Sequence, residues 1–221
     1  MPPRLKICGL RRSDQAQAIA ALGVSAIGVI GVRSSPRYLD AARRSQLFEG
    51  LAEAFPRCRR VLVVADPDAL AVAELGRYPG HDVLQLHGGE SPRRCSELRA
   101  GLGLEIWKAL RIRSPDDLKR AADYADSVDA LLLDAWAADQ LGGTGQRLPI
   151  EWLEGFTVPV PWWLAGGVTP EAVPEILRRV KPDGLDVSSG VENAPGEKNL
   201  ERVSALVANL GLSGSAATPA A

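Results

Sequence analysis

The sequence predicts a single-domain (β/α)8 barrel, the TIM-barrel architecture, on three observations. Short runs rich in Val, Ile and Leu recur along the 221 residues, and a helix-like stretch follows each of them. Most of these runs are continuously apolar, as parallel strands covered on both faces usually are. The strand–helix unit occurs eight times, which favours a closed barrel over the alternative, an open doubly wound sheet.

The strands are predicted at residues 4–8, 26–31, 60–65, 83–87, 105–110, 129–134, 161–166 and 184–188. Ser13 or Asp14 is expected to cap the first helix, and Thr169 with Pro170 to open the helix after strand seven. The second and sixth units are longer than the rest, because polar or glycine-rich loops (RSSPRYLD and AWAADQLGGTGQ) follow those strands. The catalytic domain is expected to span residues 1–210, and residues 211–221 to form a flexible tail.

Composition argues against several classes of protein. The formal net charge is −1 and the basic residues are scattered, which is not the pattern of a nucleic-acid-binding domain. No apolar run reaches the length of a membrane span, and the N-terminus does not resemble a signal peptide. Three cysteines, Cys8, Cys58 and Cys95, form no disulfide or metal pattern, so we expect a cytoplasmic protein without a metal. No obligate protein partner is indicated.

Strand one ends on a lysine and a cysteine that share one face. Lys6 and Cys8 are two residues apart, so both side chains point to the same side of the strand. A thiol can act as a base when nearby positive charge lowers its pKa, and Lys6 could supply that charge. The alternative is a buried, inert cysteine, which is the commoner state of a lone cysteine and the one expected for Cys58 and Cys95.

Asp134 closes the hydrophobic strand DALLLD. Because catalytic residues of such barrels lie at the C-terminal ends of the strands, a carboxyl at this position could donate a proton to a substrate. A helix cap or an ion pair with the next loop is an equally good interpretation of this residue alone.

Three glycine-containing loops favour a phosphate site. They follow strands six, seven and eight, where glycines let backbone N–H groups approach an anion. Residues 191–193 could form the short extra helix that often adds to such a site. The candidate residues are Gly143, Thr144, Gly145, Gly166, Gly167, Ser189 and Gly190.

Other polar residues are expected at the same end of the barrel. Arg37, in the loop after strand two, could hold a carboxylate through its planar guanidinium, or could be an ordinary solvated arginine. Gln85 and His87 alternate on strand four and face one side. His81 is the only other histidine, which leaves no histidine pair for a metal.

These motifs resemble the phosphoribosylanthranilate isomerase family of tryptophan biosynthesis. The similar segments, in the family's order, are KICGL, SPRYL, LQLHGGES, LLLDA, GGTG, LAGGVTPEAV and LDVSSGVENAPGEKN. They run from Leu5 to about Val207. GGTG and LAGG occur in many phosphate-binding barrels, whereas KICG together with SPR, QLHG and DVSSGVE is specific.

The resemblance implies an Amadori rearrangement of N-(5-phosphoribosyl)anthranilate to 1-(2-carboxyphenylamino)-1-deoxyribulose 5-phosphate, with no cofactor. It implies that Cys8 is the general base and Asp134 the general acid. It also implies that Arg37 holds the anthranilate carboxylate and that Asp186 positions the substrate near its amino group. The loop backbones at Gly145, Gly166, Gly167, Ser189 and Gly190 are implied to hold the phosphate.

The chain departs from the family pattern in three places. Ile30, Gly31 and Val32 stand where aromatic residues are usual, and Ala65 with Asp66 replaces the usual Asn after strand three. Residues 148–150 read Leu-Pro-Ile after GGTG, where Phe-Asp-Trp is expected. These changes concern the barrel wall and loops, so they bear on loop geometry and rate.

Two other functions remain in view. A sister isomerase of histidine biosynthesis generally uses two aspartates, one of which ends strand one, where this chain has Cys8. A non-catalytic barrel that binds a phosphorylated metabolite would keep the glycine loops but would need neither Cys8 nor Asp134.

Overall fold

The computed structural model describes residues 2–135 and 147–212, and its central feature is a closed barrel of eight parallel strands. The strands, joined in sequence order with β8 returning to β1, are β1 (Arg4–Cys8), β2 (Ala26–Ile30), β3 (Arg59–Val64), β4 (Val83–Leu86), β5 (Glu105–Ile112), β6 (Ala130–Ala135), β7 (Trp162–Leu164) and β8 (Gly184–Val187). All eight overlap the predicted runs, so the predicted fold class is confirmed.

Helices and short 3-10 turns connect the strands on the outside. The α-helices are α1 (Ser13–Ala21), α2 (Ala41–Ala54), α3 (Ala69–Arg77), α4 (Pro92–Leu102), α5 (Ala121–Tyr124), α6 (Val173–Arg179) and α7 (Leu200–Asn209), and the 3-10 turns are Pro115–Arg120, Ile150–Leu153 and Ser189–Val191. A small antiparallel hairpin of β9 (Glu192–Ala194) and β10 (Glu197–Lys198) follows β8.

Two apolar clusters fill the molecule. The larger packs the outer face of the strands against the helices. The smaller lies inside the barrel, where the rings of Trp107 and Trp163 are 4.8 Å apart. It consists of Ala26, Val61, Val83, Trp107, Ala109, Ala130, Leu132 and Trp163. Side chains alternate along a strand. The inward-facing side chains that lie beyond this smaller cluster are therefore those at the C-terminal ends of the strands.

Two predicted helix starts need correction. Ser13 is the first residue of α1 and not its cap; Arg12 precedes the helix and pairs with Asp14 at 2.5 Å. Thr169 accepts a hydrogen bond from the N–H of Ala172 at 3.3 Å, so it caps a turn, and α6 begins only at Val173. In both places the polar residue is present, but it does not cap the helix that was predicted to follow it.

The division of the chain into a catalytic domain and a tail stays a prediction. Residues 213–221, most of the proposed tail, lie outside the described residues. Among the described helices, none is both long and apolar enough to cross a membrane.

Candidate active site

Strand register brings the predicted catalytic residues to the same end of the barrel. Cys8 pairs with Gly28 of β2, and Asp134 pairs with Arg111 of β5. Both side chains are inward and almost fully buried, at 5% and 4% exposure. The thiol of β1 and the carboxyl of β6 therefore face the barrel mouth from different positions around the closed ring of strands.

The surroundings of Cys8 differ from the sequence-based expectation. Burial raises the pKa of the Cys8 thiol, and the charge of Asp186 raises it further, although Lys6 and Lys198 act in the opposite direction. Lys6 is itself fully buried and bound to Asp186, with Nζ 2.9 Å from Oδ1. Lys6 lowers the thiol pKa as predicted, but burial outweighs this effect, so the expectation of a net lowered thiol pKa is wrong.

Gly28 provides the space that the thiol and the lysine occupy. A Cβ at this position would lie 2.7 Å from the sulfur of Cys8 and 2.9 Å from Cε of Lys6. A larger residue at position 28 would displace the thiol. Gly28 is therefore part of the candidate site.

Asp134 contacts both strand four and the loop after strand seven. Nε2 of His87 lies 3.2 Å from its Oδ2, close enough for an ion pair but outside hydrogen-bond geometry. A Cβ at Gly166 would lie 2.8 Å from Oδ1, so only glycine lets this loop approach the carboxyl. The side chain of Gln85 is 3.4 Å from Nδ1 of His87, and its Oε1 has no hydrogen-bond partner within the described part of the chain.

Arg37 is buried and not an ordinary surface arginine. Its Nε and Nη2 donate to the carboxylate of Glu192 at 2.9 and 2.7 Å. Its stem lies directly over Gly9, where a Cβ would be 2.7 Å from Cδ of Arg37. Since Gly9 follows Cys8, this contact places the arginine beside the thiol.

The loops after strands seven and eight meet, as the phosphate prediction requires. Gly166 and Gly167 both have positive φ, +81° and +64°, which favours glycine. Gly190, next to Ser189, packs so closely on the carbonyl oxygen of Val168 that a Cβ would lie 2.0 Å from it. The expected helix at residues 191–193 is wrong, because a 3-10 turn ends at Val191 and β9 begins at Glu192. The remaining phosphate candidates, Gly143, Thr144 and Gly145, lie outside the described residues.

Asp66 gives a physical reason for one departure from the family pattern. Its φ is +46°, a conformation that Asp and Asn adopt more readily than other side chains. Its Oδ1 accepts a hydrogen bond from the N–H of Gly89 at 2.8 Å. An aspartate therefore supports the turn after β3 and the loop after β4.

Sequence reasoning missed two further buried ion pairs, besides the two described above. Lys198 binds Glu192 at 2.6 Å behind the site, and Lys108 binds Glu90 at 2.9 Å on the other side of the barrel. A lysine in an apolar strand was a usable signal for Lys108. Nothing in the segment ENAPGEKN indicated that Glu192 and Lys198 would be buried together.

The described residues contain no group of three or more His, Cys, Asp or Glu side chains arranged to hold a metal ion. The expectation of a metal-free enzyme stays a prediction.

Comparison with known proteins decides the family. A family model described as N-(5'-phosphoribosyl)anthranilate (PRA) isomerase matches residues 5–209. The chain belongs to this family. It is therefore an isomerase of tryptophan biosynthesis whose substrate is N-(5'-phosphoribosyl)anthranilate, as the motifs predicted.

Individual members of the phosphoribosylanthranilate isomerase family support the same conclusion. The enzyme of Thermosynechococcus vestitus is 45% identical over 217 residues, which cover 96% of this chain and 92% of the relative. That of Synechococcus elongatus is 47% identical over 210 residues, 94% and 95% of the two chains.

Solved structures of the family share the barrel. The crystal structure from Thermus thermophilus superposes with a TM-score of 0.80 at 33% identity and covers 94% of this chain and 98% of its own. A second structure, at TM-score 0.77, 26% identity and coverages of 95% and 98%, is a complex with reduced 1-(o-carboxyphenylamino)-1-deoxyribulose 5-phosphate.

Proposed function

We propose that this isomerase works by general acid–base catalysis, with Asp134 as the acid and Cys8 as the base. The observation that carries the proposal is the placement of a buried thiol and a buried carboxyl at inward positions around one barrel mouth. Gly166, at the start of a candidate phosphate loop, lies against that carboxyl. A sugar phosphate held by the loop would therefore have its ring next to Asp134.

The first step opens the sugar ring. Asp134 gives its proton to the ring oxygen of the ribose, the bond between that oxygen and the first carbon breaks, and the nitrogen lone pair forms a protonated imine. His87, 3.2 Å from the carboxyl, lies where it can orient the acid. To act as the acid, the carboxyl must carry a proton when substrate binds.

The second step moves a proton from carbon. The thiolate of Cys8 removes the proton from the second sugar carbon, and the electron pair of that C–H bond neutralises the imine to give an enol-amine. The enol-amine then tautomerises to the ketone. The overall change is an internal rearrangement that consumes no oxidant or reductant, which agrees with the expectation of no cofactor.

The thiol needs help to ionise, because burial raises its pKa in the unliganded protein. Two charges in the complex can provide this help. The protonated imine is a cation next to the base, and nearby cations favour a thiolate. Nζ of Lys6 is paired with Asp186 at 2.9 Å. If Asp186 turns to the amino group of the substrate instead, the positive charge of Lys6 is less neutralised and stabilises the thiolate more.

The anionic ends of the substrate have separate partners in this proposal. The loops at Gly166, Gly167, Ser189 and Gly190 hold the phosphate with their backbone N–H groups, and Gly143, Thr144 and Gly145 are proposed to complete the site. Arg37 holds the ring carboxylate. Gln85 and His87 contact the sugar, for which the unpartnered Oε1 of Gln85 is a suitable acceptor. The solved relative in complex with reduced 1-(o-carboxyphenylamino)-1-deoxyribulose 5-phosphate supports a small phosphorylated ligand.

The test is a pair of single variants, Cys8→Ala and Asp134→Asn. Each removes one proton-transfer group, so we expect kcat to fall about 100-fold or more. Both variants should still bind the reduced product analogue, measured by calorimetry. Near-parental turnover in either variant would show that the acid–base assignment is wrong.

Matched controls are available in the same chain. Cys58→Ala removes a buried thiol in the loop before β3, outside the proposed site, and Asp129→Asn changes the residue just before β6, at the opposite end of that strand from Asp134. Both should keep kcat near the parental value. The three cysteines are unpaired thiols, which also supports the proposal that the enzyme works in the reducing cytoplasm.

A further inference from the structure

The hairpin after strand eight carries two buried charges that meet Arg37. Glu192 lies in β9 and Lys198 in β10, and their side chains are 5% and 0% exposed. The Arg37 side chain, 6% exposed, completes the group. Burying a charged side chain costs free energy unless the charge is paired. Buried charges beside an arginine that is proposed to bind a carboxylate therefore need an explanation.

Glu192 is the centre of this group. Its carboxylate accepts from Nε of Arg37 at 2.9 Å, from Nη2 of Arg37 at 2.7 Å, from Nζ of Lys198 at 2.6 Å and from the N–H of Gly196 at 3.0 Å. Burial by itself would raise the pKa of Glu192, but the hydrogen bonds from Arg37 and the charge of Lys198 outweigh it and hold the pKa below its usual value. Glu192 is thus an ionised anchor and not a proton acceptor for the reaction.

The charges of the group suit an anionic ligand. Arg37 and Lys198 are each positive and Glu192 is negative, so the group keeps one net positive charge. A planar guanidinium has five donors in a fixed plane, so the contacts of Nε and Nη2 with Glu192 fix the direction in which the other N–H groups of Arg37 point. Without Lys198, the pair of Arg37 and Glu192 would be neutral and would attract a carboxylate less.

We propose that Glu192 is a positioning residue that holds the guanidinium of Arg37 in the orientation that binds the ring carboxylate of the substrate. The proposal rests on the carboxylate-binding role of Arg37 proposed above. Fixing the guanidinium before substrate arrives avoids the loss of rotamer entropy on binding, which is large for an arginine.

The same hairpin is tied to the strand of the base. Nζ of Lys198 donates to the carbonyl oxygen of Ser188 at 3.2 Å, and Oγ of Ser188 donates to the carbonyl oxygen of Cys8 at 3.1 Å. Arg37 lies over Gly9, the next residue. Glu192 therefore fixes the carboxylate-binding group relative to the thiol, which matters because the carboxylate and the reacting sugar carbon belong to one small substrate.

The test compares two ligands on the variant Glu192→Gln. One ligand is reduced 1-(o-carboxyphenylamino)-1-deoxyribulose 5-phosphate, and the other is the same compound with a plain phenylamino ring. We expect the variant to bind the carboxylate ligand about ten-fold more weakly than the parent, because the guanidinium is no longer held in its binding orientation and this loss outweighs the added positive charge. Affinity for the ligand without a carboxyl should stay within about two-fold, and KM should rise more than kcat falls.

Glu197→Gln is the matched control. Glu197 lies on β10 of the same hairpin but is exposed, and the change in charge and shape is identical. It should leave both affinities unchanged. If Glu192→Gln weakens both ligands equally, or weakens neither, Glu192 does not position Arg37 and the inference is wrong.

Arg37→Met separates this inference from the proposed function. If Arg37→Met weakens both ligands equally, Arg37 does not hold the carboxylate and the underlying assignment fails. If it weakens only the carboxylate ligand while Glu192→Gln does not, the positioning inference alone fails.

A folding defect would not hide the answer. Glu192→Gln leaves Lys198 buried with less compensation, so the double variant Glu192→Gln, Lys198→Met removes that charge as well. This double variant should fold, as shown by circular dichroism. It should still bind the carboxylate ligand at least ten-fold more weakly than the parent does, as expected for the single variant. If the double variant changes the affinities for the two ligands by the same factor, the inference is again wrong.

Discussion

At the scale of single residues, the decisive feature is a proposed base, Cys8, whose burial opposes its ionisation. Cys8 is buried beside a lysine, but that lysine is bound to Asp186. Burial is the largest influence on the thiol, and its pKa lies above the ordinary value of 9.0. The unliganded enzyme therefore holds Cys8 as a thiol at neutral pH.

This state predicts a pH dependence for kcat/KM, which reports on the free enzyme. Because the thiolate is the active form of the base, ionisation of Cys8 should raise kcat/KM with increasing pH for as long as the proposed acid, Asp134, keeps its proton. Steady-state rates from mildly acidic to alkaline pH would measure it. The alkylation rate of Cys8 in a Cys58→Ala, Cys95→Ala background depends on the thiolate alone and should keep rising through neutral pH, and a plateau of that rate at neutral pH would contradict the raised pKa.

At the scale of elements, a buried ion pair fastens the loop after β4 to β5. Nζ of Lys108 donates to Oε2 of Glu90 at 2.9 Å and to the carbonyl oxygen of Gly88 at 2.8 Å. Tyr124 donates to the carbonyl oxygen of Glu90 at 3.0 Å. The loop that follows the strand of Gln85 and His87 is held in place by these bonds.

Glu90→Gln should destabilise the protein strongly, because it leaves the charge of Lys108 buried and under-compensated. We expect the free energy of unfolding to fall by about 3 kcal/mol, measured by urea denaturation. The double variant Glu90→Gln, Lys108→Met should recover part of that loss. If the single variant were no less stable than the double variant, the buried pair would not be what holds the loop.

At the scale of the whole molecule, a buried histidine links stability to pH. His81 lies against Phe48 of α2, and neither ring nitrogen has a hydrogen-bond partner in the described part of the chain. Burial lowers its pKa from 6.5 to about 4, and the charges of Arg44 and Arg60 act in the same direction while Asp82 opposes them. The folded state therefore needs this histidine neutral.

The consequence is a loss of stability in acid. The contribution of neutral His81 is fully present above pH 6.5, the unfolded value, and is lost as pH falls toward about 4. It amounts to about 3 kcal/mol across that window. His81→Gln should flatten the pH dependence of the unfolding free energy by roughly that amount, and an unchanged acid loss in the variant would exclude His81 as its source.

Much of the fold could be predicted because its signals are local. Each strand is a short apolar run, and its boundaries in the structure lie within one or two residues of the prediction. Helix starts were less predictable: Ser13 and Thr169 have capping side chains, but the choice among neighbouring turns depends on packing. The segment after Ser189 was predicted as a helix and forms a hairpin, because Glu192 finds buried partners 155 and 6 residues away in sequence.

The sequence by itself determined the barrel and the family, because residue types and their spacing specify both. Only the tertiary structure decided the charges at the site. Whether Lys6 serves Cys8 or Asp186, and whether Arg37 is free in solvent or bound to Glu192, depends on side chains about 180 and 155 residues apart. Electrostatic interactions act through space and vary with burial, so a pattern along the chain cannot show which partners meet.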